Sequence, residues 1–118
     1  MSSTYPKITD FARMKALYGE NKIINGDYDK NLAVKCENGT FVGKLNNDVL
    51  SFKGIPFAKP PINELRWKAP EYVDKSDVIK EAYYFGNAAI QEPWFSELSS
   101  CYKQSEDCLY LNIWSNTN

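Results

Sequence analysis

The chain has 118 residues, a net charge of −1, and 43% hydrophobic against 25% charged residues, which fits one folded domain. Its charges are interspersed, so neither a basic stripe for nucleic acid nor an acidic solvating tail is present, and no apolar run approaches the ~20 residues of a bilayer-spanning helix. With no histidine and three cysteines (Cys36, Cys101 and Cys108), neither a zinc site nor a disulfide framework is expected.

Residues 1–30 read as an N-terminal extension. Met1 to Lys7 lacks the apolar core of a secretory signal, which, taken as the native start, predicts a cytoplasmic protein. Phe11, Met14 and Leu17-Tyr18 fall at helical spacing behind Thr9 as N-cap and ahead of Gly19 as C′ residue, predicting a short helix over about 10–18. A cover for a sheet edge is the plainer reading of that helix, and a flap beside a binding site the sharper one.

Residues 31–54 read as a meander. Leu32, Val34 and Cys36 alternate onto one face. Asn38-Gly39 predicts a type I′ hairpin turn, because both residue types tolerate positive φ. The turn reading is preferred to the glycosylation sequon that Asn38-Gly39-Thr40 also spells. Phe41 to Leu45 forms the return strand, Asn46-Asn47-Asp48 turns again, and Val49 to Lys53 makes a third strand with Leu50 and Phe52 on one face. Cys36 and Cys108 are expected to behave as small buried apolar groups.

Three prolines within Gly54 to Pro61 predict an ordered extended loop. Val78 to Phe85 is a candidate half-buried strand ending at Gly86. Residues 87–107 read as a long loop with a helical turn near 94–98. Cys108 to Trp114 is the last strand, with Leu109, Leu111 and Ile113 on one face and Cys108, Tyr110, Asn112 and Trp114 on the other. Both faces are largely apolar, the pattern of an interior strand. Residues 115–118 are a polar loop.

Ser105-Glu106-Asp107-Cys108-Leu109-Tyr110-Leu111-Asn112-Ile113-Trp114 resembles the Glu-Asp-Cys-Leu-Tyr-Leu-Asn signature of the type-B carboxylesterases, the cholinesterase-like branch of the α/β-hydrolases. Further matches follow the family's order. Asn38 to Gly43 is similar to its opening Gly-x-Val-x-Gly hairpin, and Phe52 to Pro61 to its Phe-x-Gly-Ile-Pro-Tyr-Ala-x-Pro-Pro segment. Leu65-Arg66-Trp67 stands for Leu-Arg-Phe, and Phe85 to Gln91 for Phe-Gly-x-x-Cys-x-Gln. The resemblance implies that residues 31–118 are the N-terminal portion of an α/β-hydrolase catalytic domain, with mostly antiparallel strands and loops in this α/β fold.

It also implies residue roles. Arg66 and Glu106 stand where the family has an ion pair, a brace suited to the guanidinium fork, although two solvated charges would spell the same sequence. Asp107 is expected to bond nearby backbone amides. Cys108 stands where the family carries a disulfide, whose other cysteine is replaced here by Ala89, so no disulfide is expected. Trp94 and Phe95 lie in the loop that lines the family's substrate gorge, where they touch substrate or pack under their own loop.

The catalytic groups of such a hydrolase are not expected in these residues. A serine hydrolase needs a nucleophile, a base titrating near neutrality and oxyanion donors. The chain lacks histidine, and the glycines of Gly39-Thr40-Phe41-Val42-Gly43 carry phenylalanine where a nucleophile elbow has serine. Ser105 has only Glu106 and Asp107 beside it, and ordinary carboxylates are too weak as bases.

The function implied is that of a part of a serine carboxylic-ester hydrolase, inactive alone, with the remaining C-terminal portion as its partner and a small ester as substrate. No cofactor, metal, nucleic acid or membrane is implied. Two other readings remain open: a non-catalytic cholinesterase-like adhesion module and an inert truncated remnant.

Overall fold

The computed structural model describes residues 12, 13, 15–92 and 102–117. Among the described residues six strands form two three-stranded sheets: β1 (Ala33–Cys36), β2 (Gly39–Val42), β3 (Lys44–Asn46), β4 (Val49–Pro56), β5 (Ile79–Glu81) and β6 (Tyr110–Asn116). One sheet has the order β1-β2-β5, with β5 parallel to β2; the other has the order β3-β4-β6 and is antiparallel. Single-turn 3-10 helices at Lys30–Leu32 and Asn63–Leu65 complete the named elements.

The expected meander is split by Gly43. The segment from Phe41 to Leu45 is not one strand: β2 ends at Val42, and β3 begins at Lys44 in the other sheet. A Cβ at Gly43 would stand 2.7 Å from the Ser51 carbonyl and 2.9 Å from the Phe52 ring, so a side chain there would force its neighbours to shift. The Gly43 N–H donates to the Leu32 carbonyl at 2.8 Å.

The first hairpin turn also differs from expectation. Cys36 pairs with Gly39, so Glu37 and Asn38 occupy the turn, and neither has positive φ. Gly39, at φ 138°, supplies that conformation one residue later, and the turn is not type I′. The Asn38 side chain donates instead to the Pro56 carbonyl at 3.1 Å. The second turn is tighter than the expected Asn46-Asn47-Asp48: Asn46 closes β3 against Val49, and Asn47-Asp48 turn, with Asn47 left-handed at φ 55°.

β4 runs past Lys53 to Pro56 because it carries a bulge. Phe52 pairs with Ile113 and Ile55 with Leu111, so Lys53 and Gly54 together face Asn112. Gly54 takes φ 74°, and its N–H, released from the ladder, donates to Asn112 Oδ1 at 3.0 Å.

The core lies where the sheets meet: Phe41, Phe52 and Ala82 are buried, with Leu50 and Ile55 against them. Phe41, at the centre of the elbow-like spacing, is 3% exposed and serves as core. The Val78–Phe85 strand is shorter than expected. β5 spans three residues, because the Ala82 carbonyl accepts from Lys53 N–H while the Tyr83 and Tyr84 amides turn to a side chain, that of Asn21.

Of the N-terminal helix, Ala12, Arg13, Lys15 and Ala16 are helical; Thr9, Phe11 and Met14 lie outside the described residues. Gly19 is not a left-handed cap. It lies against the Tyr84 ring, where a Cβ would come to 3.0 Å. Cys36 is exposed and Cys108 half-buried, both as free thiols, so neither is the buried apolar group expected.

Candidate functional site

The signature segment is placed by β4 and the proline-rich loop. Pro56 pairs with Tyr110, and the Phe57 N–H donates to the Leu109 carbonyl at 3.2 Å. Beyond Phe57 the loop is pinned to its return by Lys59 N–H on the Glu71 carbonyl at 2.9 Å and by Lys59 Nζ, 3.3 Å from Asp74. The 3-10 turn Asn63–Leu65 then presents Arg66, whose backbone N–H closes the turn on the Asn63 carbonyl.

Arg66 Nη2 lies 2.7 Å from Glu106 Oε2, with the side chains 52% and 41% exposed. The contact raises the arginine pKa, first through the hydrogen bond and then through the charge of Glu106. At this exposure the pair aligns the loop with the signature more than it stabilises the fold.

The Asp107 carboxylate accepts from the Tyr110 hydroxyl at 2.9 Å rather than from the backbone amides expected, while its own N–H donates to Ser105 Oγ at 3.1 Å. The Asp107 carbonyl accepts from Asn87 Nδ2 at 3.0 Å. Burial, the bond to Asp107, and the charges of Asp107 and Cys108 together push the Tyr110 phenol up to about 12. Its ring lies where a Cβ of Gly86 would stand, which explains glycine at that position. Tyr110 and Gly86 line a cleft of about 380 Å³ together with Gly54, Asn87, Lys103 and Asn21.

β6 starts at Tyr110, later than expected, and is not enclosed. Leu111, Ile113 and Trp114 are 37%, 48% and 56% exposed, and among the described residues the strand pairs only with β4. Trp94, Phe95 and Cys101 lie outside the described residues.

Two features were missed in the sequence. Asn21 joins three segments through both ends of its amide, and Lys53, 5.0 Å from the Phe85 ring centre, has its pKa lowered by burial and by Lys44. The available signal for the first was Ile23-Ile24 between Gly19 and Gly26, a β-branched pair that marks a short strand.

No group of His, Cys, Asp and Glu among the described residues could hold a metal, and no described helix is long and apolar enough to cross a membrane.

Comparison with known proteins gives this arrangement a lineage. The carboxylesterase family model matches residues 30–118. The chain is 37% identical over 84 residues to para-nitrobenzyl esterase of Bacillus subtilis, covering 70% of this chain and 17% of that protein. It is 38% identical over 87 residues to fumonisin B1 esterase of Sphingopyxis macrogoltabida, covering 74% and 16%. Among solved structures, a thermophilic PNB esterase superposes with a TM-score of 0.67 at 35% identity, covering 73% of this chain and 18% of that one. A Geobacillus stearothermophilus carboxylesterase superposes with a TM-score of 0.59 at 42% identity, covering 71% and 16%. The chain thus spans about one-sixth of the length of these relatives, and it belongs to the carboxylesterase family.

Proposed function

We propose that the chain supplies the N-terminal strands of a serine carboxylic-ester hydrolase with an α/β-hydrolase fold, whose nucleophile, base and oxyanion donors come from sequence beyond these 118 residues. The observation that carries this reading is the signature strand β6: it is paired along β4 on one edge, while Leu111, Ile113 and Trp114 remain exposed. A strand with exposed apolar residues and an unpaired edge calls for a further strand and a covering layer. The remaining portion of the same hydrolase fits both requirements, because the relatives are about six times longer than the segment they share with this chain.

In the assembled enzyme the serine oxygen would attack the ester carbonyl and the C–O bond to the alcohol would break, the alcohol leaving with the proton taken from serine; water would then cleave the acyl-serine to release the carboxylic acid and return the serine. The residues present here align that machinery. Arg66 and Glu106 hold the loop after the 3-10 turn against the start of the signature.

The test is complementation. The 118-residue chain is mixed with the portion of the Bacillus subtilis para-nitrobenzyl esterase that follows the aligned segment, and hydrolysis of a p-nitrophenyl ester is followed. Activity is expected in the mixture and in neither part alone. Labelling of the 118-residue chain by a serine-directed phosphonate, with turnover, would contradict the assignment of catalysis to the other portion.

A further inference from the structure

The sequence spells Asn-Gly twice, at Asn25-Gly26 and at Asn38-Gly39. Both pairs carry the same latent chemistry. The glycine nitrogen can reach the side-chain amide carbon of the asparagine before it, because glycine has no Cβ to block the approach and leaves the backbone free to turn. The fold treats the two pairs differently.

Asn38-Gly39 is held in the first hairpin. Asn38 Nδ2 donates to the Pro56 carbonyl at 3.1 Å, in a half-buried place. Gly39 is buried and pairs with Cys36 at the close of the β1–β2 ladder. It also lies against β5: a Cβ on it would stand 2.9 Å from the Val78 carbonyl, which accepts from the Thr40 N–H at 2.9 Å. To react, Asn38 must leave Pro56 and Gly39 must leave the sheet.

Asn25-Gly26 lies instead at the joint between an N-terminal arm, residues 17–24, and the body. Ile24 N–H donates to the Ile79 carbonyl at 2.8 Å and Glu81 N–H to the Lys22 carbonyl at 2.9 Å, so the arm runs antiparallel along the edge of β5. Asn21 fixes it further, donating to the Lys53 and Tyr84 carbonyls and accepting from the Tyr83 and Tyr84 amides. The next anchor is Asp29, whose carboxylate accepts from the Asn31 N–H at 2.9 Å and caps the 3-10 turn. Between these anchors Asn25, Gly26 and Asp27 are exposed. Neither the Asn25 amide nor the Gly26 N–H has a hydrogen-bond partner among the described residues, and a Cβ on Gly26 would meet nothing within 4 Å.

We propose that Asn25 is a site of spontaneous covalent modification, and that the fold withholds Asn38 from the same reaction. The Gly26 nitrogen bonds to Asn25 Cγ and gives up its proton. The bond from Cγ to Nδ2 breaks, and ammonia leaves with that proton, so residues 25 and 26 share a cyclic succinimide. Water then opens the ring. Attack at the side-chain carbonyl gives aspartate, and attack at the backbone carbonyl gives isoaspartate, whose main chain runs through the former side chain. No electrons are exchanged, and water is the sole co-reactant. Either product adds one negative charge to a chain whose net charge is −1. The change falls in the connection between arm and body, outside the bonds that hold the two sheets.

Peptide mapping by mass spectrometry tests this. The 118-residue chain is incubated at mildly alkaline pH, and the amide-to-acid mass gain is followed at both asparagines, with aspartyl and isoaspartyl products separated by chromatography. Asn25 is expected to convert at least about tenfold faster than Asn38, whose reaction waits on local opening of the hairpin. In urea that unfolds the chain neither pair is held, and the two rates should come within about threefold of each other. Gly26→Ala, which the open space accepts, should slow conversion at Asn25 by about tenfold and leave Asn38 unchanged. Equal native rates, or faster conversion at Asn38, overturn the proposal. A tenfold difference that persists in urea overturns the role given to the fold. An unchanged rate in Gly26→Ala overturns attack by the nitrogen of residue 26.

Discussion

The two sheets differ in how they finish their edges. In β1-β2-β5 the outer edge of β5 is met by the arm, which supplies Lys22 and Ile24 as backbone partners. In β3-β4-β6 no second strand pairs with β6 among the described residues, and Ile113 and Trp114 are about half exposed. The composition of the strands does not explain the contrast, since β6 is the more apolar. One sheet is closed by its own chain, while the other presents a surface that a further layer would bury. The small shared core, built on Phe41, Phe52 and Ala82, holds the two together.

Substitutions in the shared core and on the open face separate the two regions most sharply. Phe52→Ala removes a ring that is 7% exposed at the junction of the sheets, and about 3–5 kcal/mol of stability should be lost. Urea unfolding checks this, and loss of a cooperative transition is the expected form for so small a core.

Gly43→Ala attacks the corner where the chain passes between the sheets. The new methyl meets the Ser51 backbone and the Phe52 ring, for a cost of about 1–3 kcal/mol by the same measurement. Wild-type stability would show that the corner can open without disturbing either sheet.

Tyr110→Phe tests the link between the cleft and β6. It removes a bond to a carboxylate at a half-buried site, so about 1 kcal/mol is expected, below the usual range for a fully buried bond of this kind. The pH dependence gives a second readout. The folded phenol titrates near 12, above the ordinary 10.0, so the fold favours the neutral form. Its contribution is whole below pH 10 and is lost as pH rises from 10 toward about 12. Alkaline melting of the wild type should steepen in that window, and Tyr110→Phe should remove that part of the loss. A phenolate absorbance titration showing every tyrosine at the ordinary value would contradict the assignment.

The smallest effect belongs to the open face. Ile113→Ala, at a side chain 48% exposed, should change the stability of the 118-residue chain by less than about 0.5 kcal/mol. In the complemented enzyme the same substitution should weaken assembly measurably in a binding titration. A large loss in the chain alone would mean that β6 is already covered, and the contrast between the sheets would fall.

Motifs were more legible than topology. The signature, the proline-rich segment and Leu65-Arg66-Trp67 could be read directly, and the structure brings Arg66 to Glu106 across 40 positions of sequence. The strands were found, but their partners were not. The stretch from Phe41 to Leu45 looked continuous because one glycine in a strand is ambiguous until a neighbour crowds it, and the crowding comes from Ser51 and Phe52. The Asn38-Gly39 pair signalled a turn, yet the turn lies one position earlier, because the register of β1 on β2 and the bond from Asn38 to Pro56 decide it. The role of Asn21 could not be seen, since an asparagine in an extension becomes a junction only when the backbones of Lys53, Tyr83 and Tyr84 converge on it.

By itself the sequence determined the lineage, the strand-rich character and the absence of histidine from any chemistry these residues perform, because these depend on local pattern and residue type. The tertiary structure decided which edges are closed, where the chain changes sheets, and that Asp107 bonds Tyr110 rather than backbone amides. Those outcomes rest on contacts between distant residues. A hydrogen bond or a steric overlap depends on where two groups meet, and no local pattern records that position.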